Sequence, residues 1–238
     1  HGAVYAPDGT YAEGTAYWSY GTTFQVVMIE ALRSVFGTSC NLEKFPGFLK
    51  TTDFITQIVG PTGYEFPFSD AGAAGSKLSA KPLVDRYNSE PIMLWFARET
   101  GNPDVARDEI KSILLANSIL QNDTTEETQK GHSRHFALEI LWWNPKLPKL
   151  SKDINLPLHW TAAGHMPLAV MRSSWTDSLA SYIAIKGGTP NNSHGHMDAG
   201  SFILEANGVR WALDLGGEDD TKMRAAKLDL WNYAQNSN

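Results

Sequence analysis

The sequence predicts an α+β protein of more than one domain, with a helical part at residues 1–150 and antiparallel β structure at 151–238. Apolar residues recur at three- and four-residue spacing in the first part, whereas apolar and polar residues alternate in the second. Pro145, Pro148 and Pro157 fall around the junction, which is typical of a linker. With 238 residues and 42% hydrophobic content, the chain is long enough for one large domain or two smaller ones.

Four segments of the first part have helical periodicity. The first has these apolar residues at helical spacing: Phe24, Val27, Met28, Ala31, Leu32, Val35 and Phe36. Gly37 is its predicted end, because glycine adopts the left-handed conformation of a helix C-cap at little cost. The other three helices are predicted at residues 90–100, 103–121 and 132–143. A long irregular segment at 60–76 separates the first two, and such segments commonly carry function.

Four short segments of the second part have the alternation of strands: PLAVMRSSW, SLASYIAIKG, GSFILEAN and VRWALDLG. Asn207 and Gly208 lie between the last two and predict a type I′ hairpin turn, since both central positions of that turn need positive φ. A hairpin turning there places residues 201–206 opposite residues 209–214. We therefore expect Asp214 to lie beside the start of the third strand, next to the loop that precedes it.

Charge, cysteine content and hydropathy exclude several classes of protein. The net charge of −6 argues against general nucleic-acid binding, which needs a basic surface. The single cysteine, Cys40, excludes an internal disulfide and a cysteine-based zinc site. No apolar run reaches the roughly 18 residues of a membrane span. The chain begins at His1 rather than at a methionine, and we expect it to be a piece of a longer protein.

The stretch NNSHGHMDAGSF, at residues 191–202, concentrates two histidines and an aspartate in a glycine-rich loop. An extended backbone would direct the imidazoles of His194 and His196 to the same side, because alternate residues of a strand share a face. Gly195 and Gly200 would let the backbone approach a ligand closely. These features make the stretch the candidate functional site of the chain.

Three interpretations of this cluster are open. A metallo-β-lactamase-type site has the pattern HxHxDH, but Ala199 stands where the last histidine would be, and the helical first part also disfavours that class. A purely structural pair of hydrogen-bonded histidines is the second interpretation. In the third, one histidine performs acid–base chemistry while its neighbour and Asp214 bind a metal. Imidazole and carboxylate suit zinc, which normally has four ligands, and two are visible here.

Several blocks of the sequence resemble the heparinase II/III family of polysaccharide lyases. They are NNSHGHMDAGSFILEANGVRWALDLGG at 191–217, PDGTYAEGTAYWSYGTTF at 7–24, MRSSW at 171–175 and FPFSDAG at 66–72. The resemblance extends over nearly the whole chain. It implies part of an incomplete (α/α) toroid followed by the first strands of an antiparallel β-sandwich, in the order that periodicity predicts.

The resemblance also implies roles for particular residues. His194 corresponds to the catalytic histidine and Tyr17 to the catalytic tyrosine, with Tyr20 as the second choice. His196 and Asp214 correspond to ligands of a structural zinc ion, whose third protein ligand would lie after the end of this chain. The family's residue that neutralises the substrate carboxylate would precede the chain. The piece by itself is therefore expected to be inactive.

Two further residues are candidates for substrate binding. Arg172 flanks a predicted strand, where it would either meet an anionic sugar or pair with an acidic side chain. Asp70, in the long irregular segment, would either line a groove or form a turn, as aspartate often does. The resemblance implies an anionic polysaccharide partner, such as a glycosaminoglycan, and a periplasmic or secreted location. A homodimer is left open.

The predicted activity is cleavage of a uronic-acid-containing polysaccharide by β-elimination. Histidine suits the removal of the C5 proton because its pKa of about 6.5 lies near working pH. Tyrosine, with a pKa of about 10, is protonated at that pH and can serve as the acid. A non-catalytic carbohydrate-binding protein that retains the fold and a zinc-dependent hydrolase are the alternatives.

Overall fold

The predicted α+β class is confirmed, because the structure contains helices and one antiparallel sheet of five strands. It is a computed structural model, which describes residues 2–69, 90–111, 113, 135, 137–146, 149–191, 195–217 and 220–228. The described residues form two compact units, one within 1–80 and 155–238 and the other within 81–154. The toroid, the sandwich and the domain division at residue 150 remain predictions.

Helix α1 spans Gly14–Phe36, as its periodicity predicts. Gly37 ends it with φ of 70°, and the Gly37 N–H donates to the carbonyl of Arg33. The buried side of α1 carries Trp18, Val26 and Ile29 rather than the predicted apolar stripe. Within that stripe, four side chains are more than 45% exposed: Phe24, Met28, Val35 and Phe36. Tertiary packing therefore buries a different side of this helix from the one its periodicity favours.

The rest of the N-terminal segment is built from short helical pieces. Helix α2 spans Thr51–Gln57, preceded by the 3-10 helices Gly2–Tyr5, Leu42–Lys44 and Phe48–Lys50. The indole N–H of Trp18 donates to the hydroxyl of Thr51 over 2.8 Å, and that hydroxyl donates to the carbonyl of Gly9. These bonds fasten α1 to the start of α2.

The second unit contains the described helices that lie between residues 81 and 154. Helix α3 spans Ile92–Thr100 and ends at Gly101, close to the prediction. A 3-10 helix at Pro103–Ala106 and helical residues at 107–111 begin the predicted third helix, whose later part lies largely outside the described residues. Helix α4 spans Ala137–Trp142. Within the described part of the chain, no helix is both long and apolar enough to cross a membrane.

The sheet is an antiparallel meander in chain order. Its strands are β1 His159–Ala162, β2 Leu168–Arg172, β3 Tyr182–Lys186, β4 Phe202–Ala206 and β5 Val209–Ala212, and helix α5 follows at Asp220–Ala225. The four predicted strands are present, and β1 is an additional one that the alternation did not indicate. The β4–β5 turn has positive φ at Asn207 and Gly208, 54° and 74°, as a type I′ turn requires.

One face of the sheet is buried although it carries charged side chains. Arg172, Tyr182, Lys186 and Glu205 on this face are each at most 8% exposed. The opposite face is apolar and exposed, with Met171, Ile185, Phe202, Leu204 and Trp211. The buried face contacts the end of α2 and the segment that follows it: the Tyr182 hydroxyl donates to the carbonyl of Gln57 over 2.9 Å, and Arg172 donates to the carbonyl of Val59 over 3.0 Å.

Gly47 gives a test of the packing within the N-terminal segment. It has φ of +81°, and a Cβ atom there would collide with the carbonyl of Tyr5 and the backbone N–H of Gly9. Gly37 has a similar φ of +70° but open space around its Cα. We expect Gly37→Ala to cost about 1 kcal/mol of unfolding free energy, from the left-handed backbone alone.

Gly47→Ala should cost at least about 2 kcal/mol more than Gly37→Ala, because steric overlap is added to the same backbone strain. Urea unfolding of the two variants beside the parent protein measures this difference. Equal losses in the two variants would contradict the close approach of Gly47 to Tyr5.

Candidate active site

The candidate site lies in the connection between β3 and β4, and its second half is fixed to the end of β3. The Gly200 N–H donates to the carbonyl of Lys186 over 2.7 Å, and the Lys186 N–H donates to the carbonyl of Ser201 over 2.9 Å. The Ser201 N–H donates to the carbonyl of Asp198 over 3.0 Å. His196 is 1% exposed. Residues 195–201, which we call the anchored turn, thus place a buried imidazole at one end of the sheet.

A buried ion pair holds the anchored turn from inside. The ammonium of Lys186 contacts Oδ1 of Asp198, and both side chains are buried. The second oxygen of Asp198 accepts from the Ser69 N–H over 3.3 Å, and the Ser69 hydroxyl donates to the carbonyl of Ala12 over 3.3 Å. Two segments distant in sequence therefore meet at one carboxylate.

Burial and neighbouring charge act on Lys186 in opposite directions. Burial lowers the pKa of the Lys186 ammonium, whereas its hydrogen bond to Asp198 and the charges of Asp198 and Asp214 raise it. The ring of Phe68 also lies under the ammonium, 5.6 Å from its centroid. Lys186 was not among the residues predicted from the sequence, although it occupies an inward position of β3 in the alternation with Tyr182, and that alternation was the available signal.

Asp214 lies beside the start of β4, as the predicted hairpin requires. It is 2% exposed, and its Oδ2 accepts from the Ser201 hydroxyl while its Oδ1 accepts from the Gly216 N–H over 2.8 Å. Burial raises the pKa of the Asp214 carboxyl, and the two hydrogen bonds lower it. The site therefore contains two buried carboxylates, those of Asp198 and Asp214, with Lys186 within electrostatic range of both.

The predicted catalytic residues are only partly described. Tyr17 and Tyr20 both lie on α1, where Tyr17 is half-buried and Tyr20 is 52% exposed. The Tyr20 ring packs edge-on against Phe24, with 5.0 Å between centroids. His194 lies outside the described residues. Its role, and the choice between the two tyrosines, remain predictions.

The two predicted substrate-binding residues have different outcomes. Arg172 is buried, and its guanidinium donates to the carbonyls of Gln57 over 2.9 Å and Val59 over 3.0 Å. It also stacks on Trp175, 3.5 Å from the ring centroid. These contacts favour a structural role at the end of α2, where helix carbonyls need donors. Asp70 lies outside the described residues.

A zinc ion would find suitable donor types but an incomplete set. His196 supplies an imidazole and Asp214 a carboxylate, which are ordinary zinc ligands. Among the described residues, no three His, Cys, Asp or Glu side chains are grouped so that they could hold a metal ion. The remaining ligands of a tetrahedral site would have to come from elsewhere, as the sequence analysis expects.

Fold and site together define an α+β chain with a buried cluster of charged residues and an imidazole at one end of an antiparallel sheet. No family model and no curated protein sequence match it. Among solved structures it is similar to heparan sulfate lyase HepC from Pedobacter heparinus, with 19% identity and a TM-score of 0.49. A mutant of HepC gives 18% and 0.43. Each match covers 94% of this chain and 29% of that chain, so this chain spans less than a third of the lyase.

The hydrogen bond from Ser201 to Asp214 can be tested without any assumption about activity. Ser201→Ala should lower the unfolding free energy by about 1–3 kcal/mol at neutral pH, because a buried carboxylate oxygen loses its donor. Ser178→Ala, at an exposed position, is the matched control and should change it by less than about 0.5 kcal/mol. Urea unfolding measures both, and a Ser201→Ala loss no larger than that of the control would contradict the contact.

Proposed function

We propose that this chain is part of a polysaccharide lyase that cleaves glycosidic bonds next to a uronic acid by β-elimination. The proposal includes the finer architecture expected from the resemblance, part of an (α/α) toroid followed by β-sandwich strands. The observation that carries it is the anchored turn, which holds residues 195–201 of the HGHMDAGSF motif by buried contacts and has Asp214 beside it. The two structural neighbours named above are heparan sulfate lyases. Their sequence identity and TM-score are too low to support the proposal.

The chemistry requires a base, an acid and a means of neutralising the substrate carboxylate. His194 would remove the proton at C5 of the uronic acid, and the electron pair would move toward C4 as the C4–O bond breaks. Tyr17, or Tyr20 in its place, would protonate the leaving oxygen. Neutralising the carboxylate lets charge spread into it in the transition state. The resemblance assigns that task to a residue that precedes this chain.

The buried surroundings of the anchored turn suit this chemistry. A base acts well when its position is fixed and when water is excluded from the reacting atoms. Residues 195 and 196 are buried, and the turn is fastened at Lys186, Ser201 and Asp198. In the sequence, His194 immediately precedes this fixed part of the chain.

The proposal implies an anionic polysaccharide as substrate and a periplasmic or secreted location. It includes a structural zinc ion held in part by His196 and Asp214. The zinc would supply rigidity to the turn rather than a reacting group. A homodimer is compatible with the proposal and is not needed by it.

The lyase proposal is tested on the natural full-length chain with a panel of glycosaminoglycans, alginate and other uronate polymers. Elimination creates an unsaturated uronate, whose C4–C5 double bond is detected by ultraviolet absorbance and mass spectrometry. His194→Ala should lower kcat by about 100-fold or more, in the range lost with a general base. Tyr17→Phe should do the same if Tyr17 is the acid, and Tyr20→Phe serves as its matched control.

Two results would contradict the proposal. Binding of the polysaccharides without any unsaturated product would favour a carbohydrate-binding protein. A saturated product that disappears on chelation would favour a zinc hydrolase. A larger loss in Tyr20→Phe than in Tyr17→Phe would keep the lyase and exchange the two tyrosines.

Zinc binding is tested by metal analysis and thermal unfolding of the full-length chain. A bound zinc ion should raise the melting temperature, because a ligand that binds only the folded state stabilises it. His196→Ala and Asp214→Asn should each remove both the metal and this shift, whereas His159→Ala, in β1, should keep them. Stoichiometric zinc in either of the first two variants would exclude that residue as a ligand.

A further inference from the structure

The side chain of Lys186 points to the buried face of the sheet, where its positive charge contacts the anchored turn. Lys186 is the last residue of β3, and its register partner on β2 is Leu168. The sheet therefore sets the direction of its side chain, which is 1% exposed. The sheet fixes the Cα–Cβ direction of Lys186, and burial of its stem together with the contact to Asp198 holds the ammonium.

Asp198 is the residue of the anchored turn that the Lys186 ammonium holds. Its two oxygens are engaged on different sides, one by the Lys186 ammonium and the other by the Ser69 N–H. The turn backbone is hydrogen-bonded at the same place, through the N–H and carbonyl of Lys186. Lys186 thus holds the turn through both its backbone and its side chain. The side-chain contact is made at Asp198, two positions after His196.

A buried ion pair of this kind is better explained by positioning than by stability. Removing two charges from water costs about as much as their attraction returns, so apolar residues of similar size often stabilise a protein equally well. A pair of charges, however, prefers one relative geometry, which an apolar contact does not impose. Lys186 and Asp198 would therefore add directional accuracy where a reacting group must be placed.

We propose that Lys186 is a positioning residue of the lyase reaction, fixing through Asp198 the anchored turn, which contains His196 and directly follows His194 in the sequence. This inference rests on the proposed function, because it gives the fixed geometry a purpose. It assigns Lys186 no contact with substrate. It also assigns Asp198, the aspartate of the motif, the role of pairing with Lys186 rather than that of a metal ligand.

The test separates positioning from stability with four variants of the full-length chain: Lys186→Met, Asp198→Leu, the double variant and Lys186→Arg. Each single variant to an apolar residue leaves a buried charge unpaired and should unfold at a lower urea concentration. The double variant leaves no buried charge of the pair and should regain much of that loss. Lys152→Met, at an exposed lysine, is the control for loss of a positive charge.

Activity is then measured on the polysaccharide that the parent protein cleaves fastest. We expect kcat of the double variant to remain about 10- to 100-fold below that of the parent, since a small displacement of a reacting group has such an effect. KM should stay within about twofold, because ground-state binding is not altered. Lys186→Arg, which keeps the charge, should retain more of kcat than Lys186→Met. Recovery of kcat together with stability in the double variant would overturn the inference.

Hydrogen exchange keeps this test independent of the proposed activity. If the parent protein forms no unsaturated product, the lyase proposal fails. The exchange rates of the backbone amides of residues 195–200 then test whether Lys186 positions the turn. Faster exchange there in the double variant, at a parent-like unfolding midpoint, supports the positioning role, and unchanged exchange overturns it. If the double variant does not fold, Lys186→Met combined with Asp198→Asn, whose amide oxygen can still accept from the Ser69 N–H, replaces it in the same measurement, with the same two outcomes.

Discussion

The structure depends on the burial of a charged sheet face against the N-terminal helical segment. A charge removed from water must find a partner inside the protein, because an unpaired one costs several kcal/mol. Lys186 is paired with Asp198, and Glu205 with Arg210. Arg172 is held by the carbonyls of Gln57 and Val59. These partners come from three separate stretches of chain, so satisfying the charges also fixes the stretches to the sheet.

The charges lie in two groups at opposite ends of the buried face. Arg172 and Glu205 both neighbour Tyr182, at the start of β3, whereas Lys186 is at its end. Four residues of strand separate the groups, roughly 13 Å at the usual rise. The first group binds the end of α2 and the loop that follows it, where the Thr62 N–H donates to Glu205. The second group holds the anchored turn, so the sheet is fixed at one end by structural contacts and at the other by the candidate site.

The sequence predicts what local rules determine. The end of α1 at Gly37 and the Asn207–Gly208 turn depend on backbone preferences of a few neighbouring residues, and the structure confirms both. The place of Asp214 beside β4 follows from the turn alone. The buried side of α1 is different, because it depends on what packs against the helix. Lys186 was missed for a related reason, since its pairing with Asp198 depends on how the β3–β4 connection folds back, and a lysine at the end of a strand is usually solvated.

Three strands contribute to the candidate site because their termini meet at the end of the buried face where Lys186 lies. β3 ends there at Lys186, β4 begins there after Ser201, and β5 ends there before Asp214. Antiparallel pairing brings these strand termini together whatever the loop between them does. The anchored turn therefore contains one carboxylate, that of Asp198, and is bonded through Ser201 to a second, that of Asp214, which follows β5. Sheet topology supplies the charged surroundings, and the ion pair to Lys186 orients the loop within them.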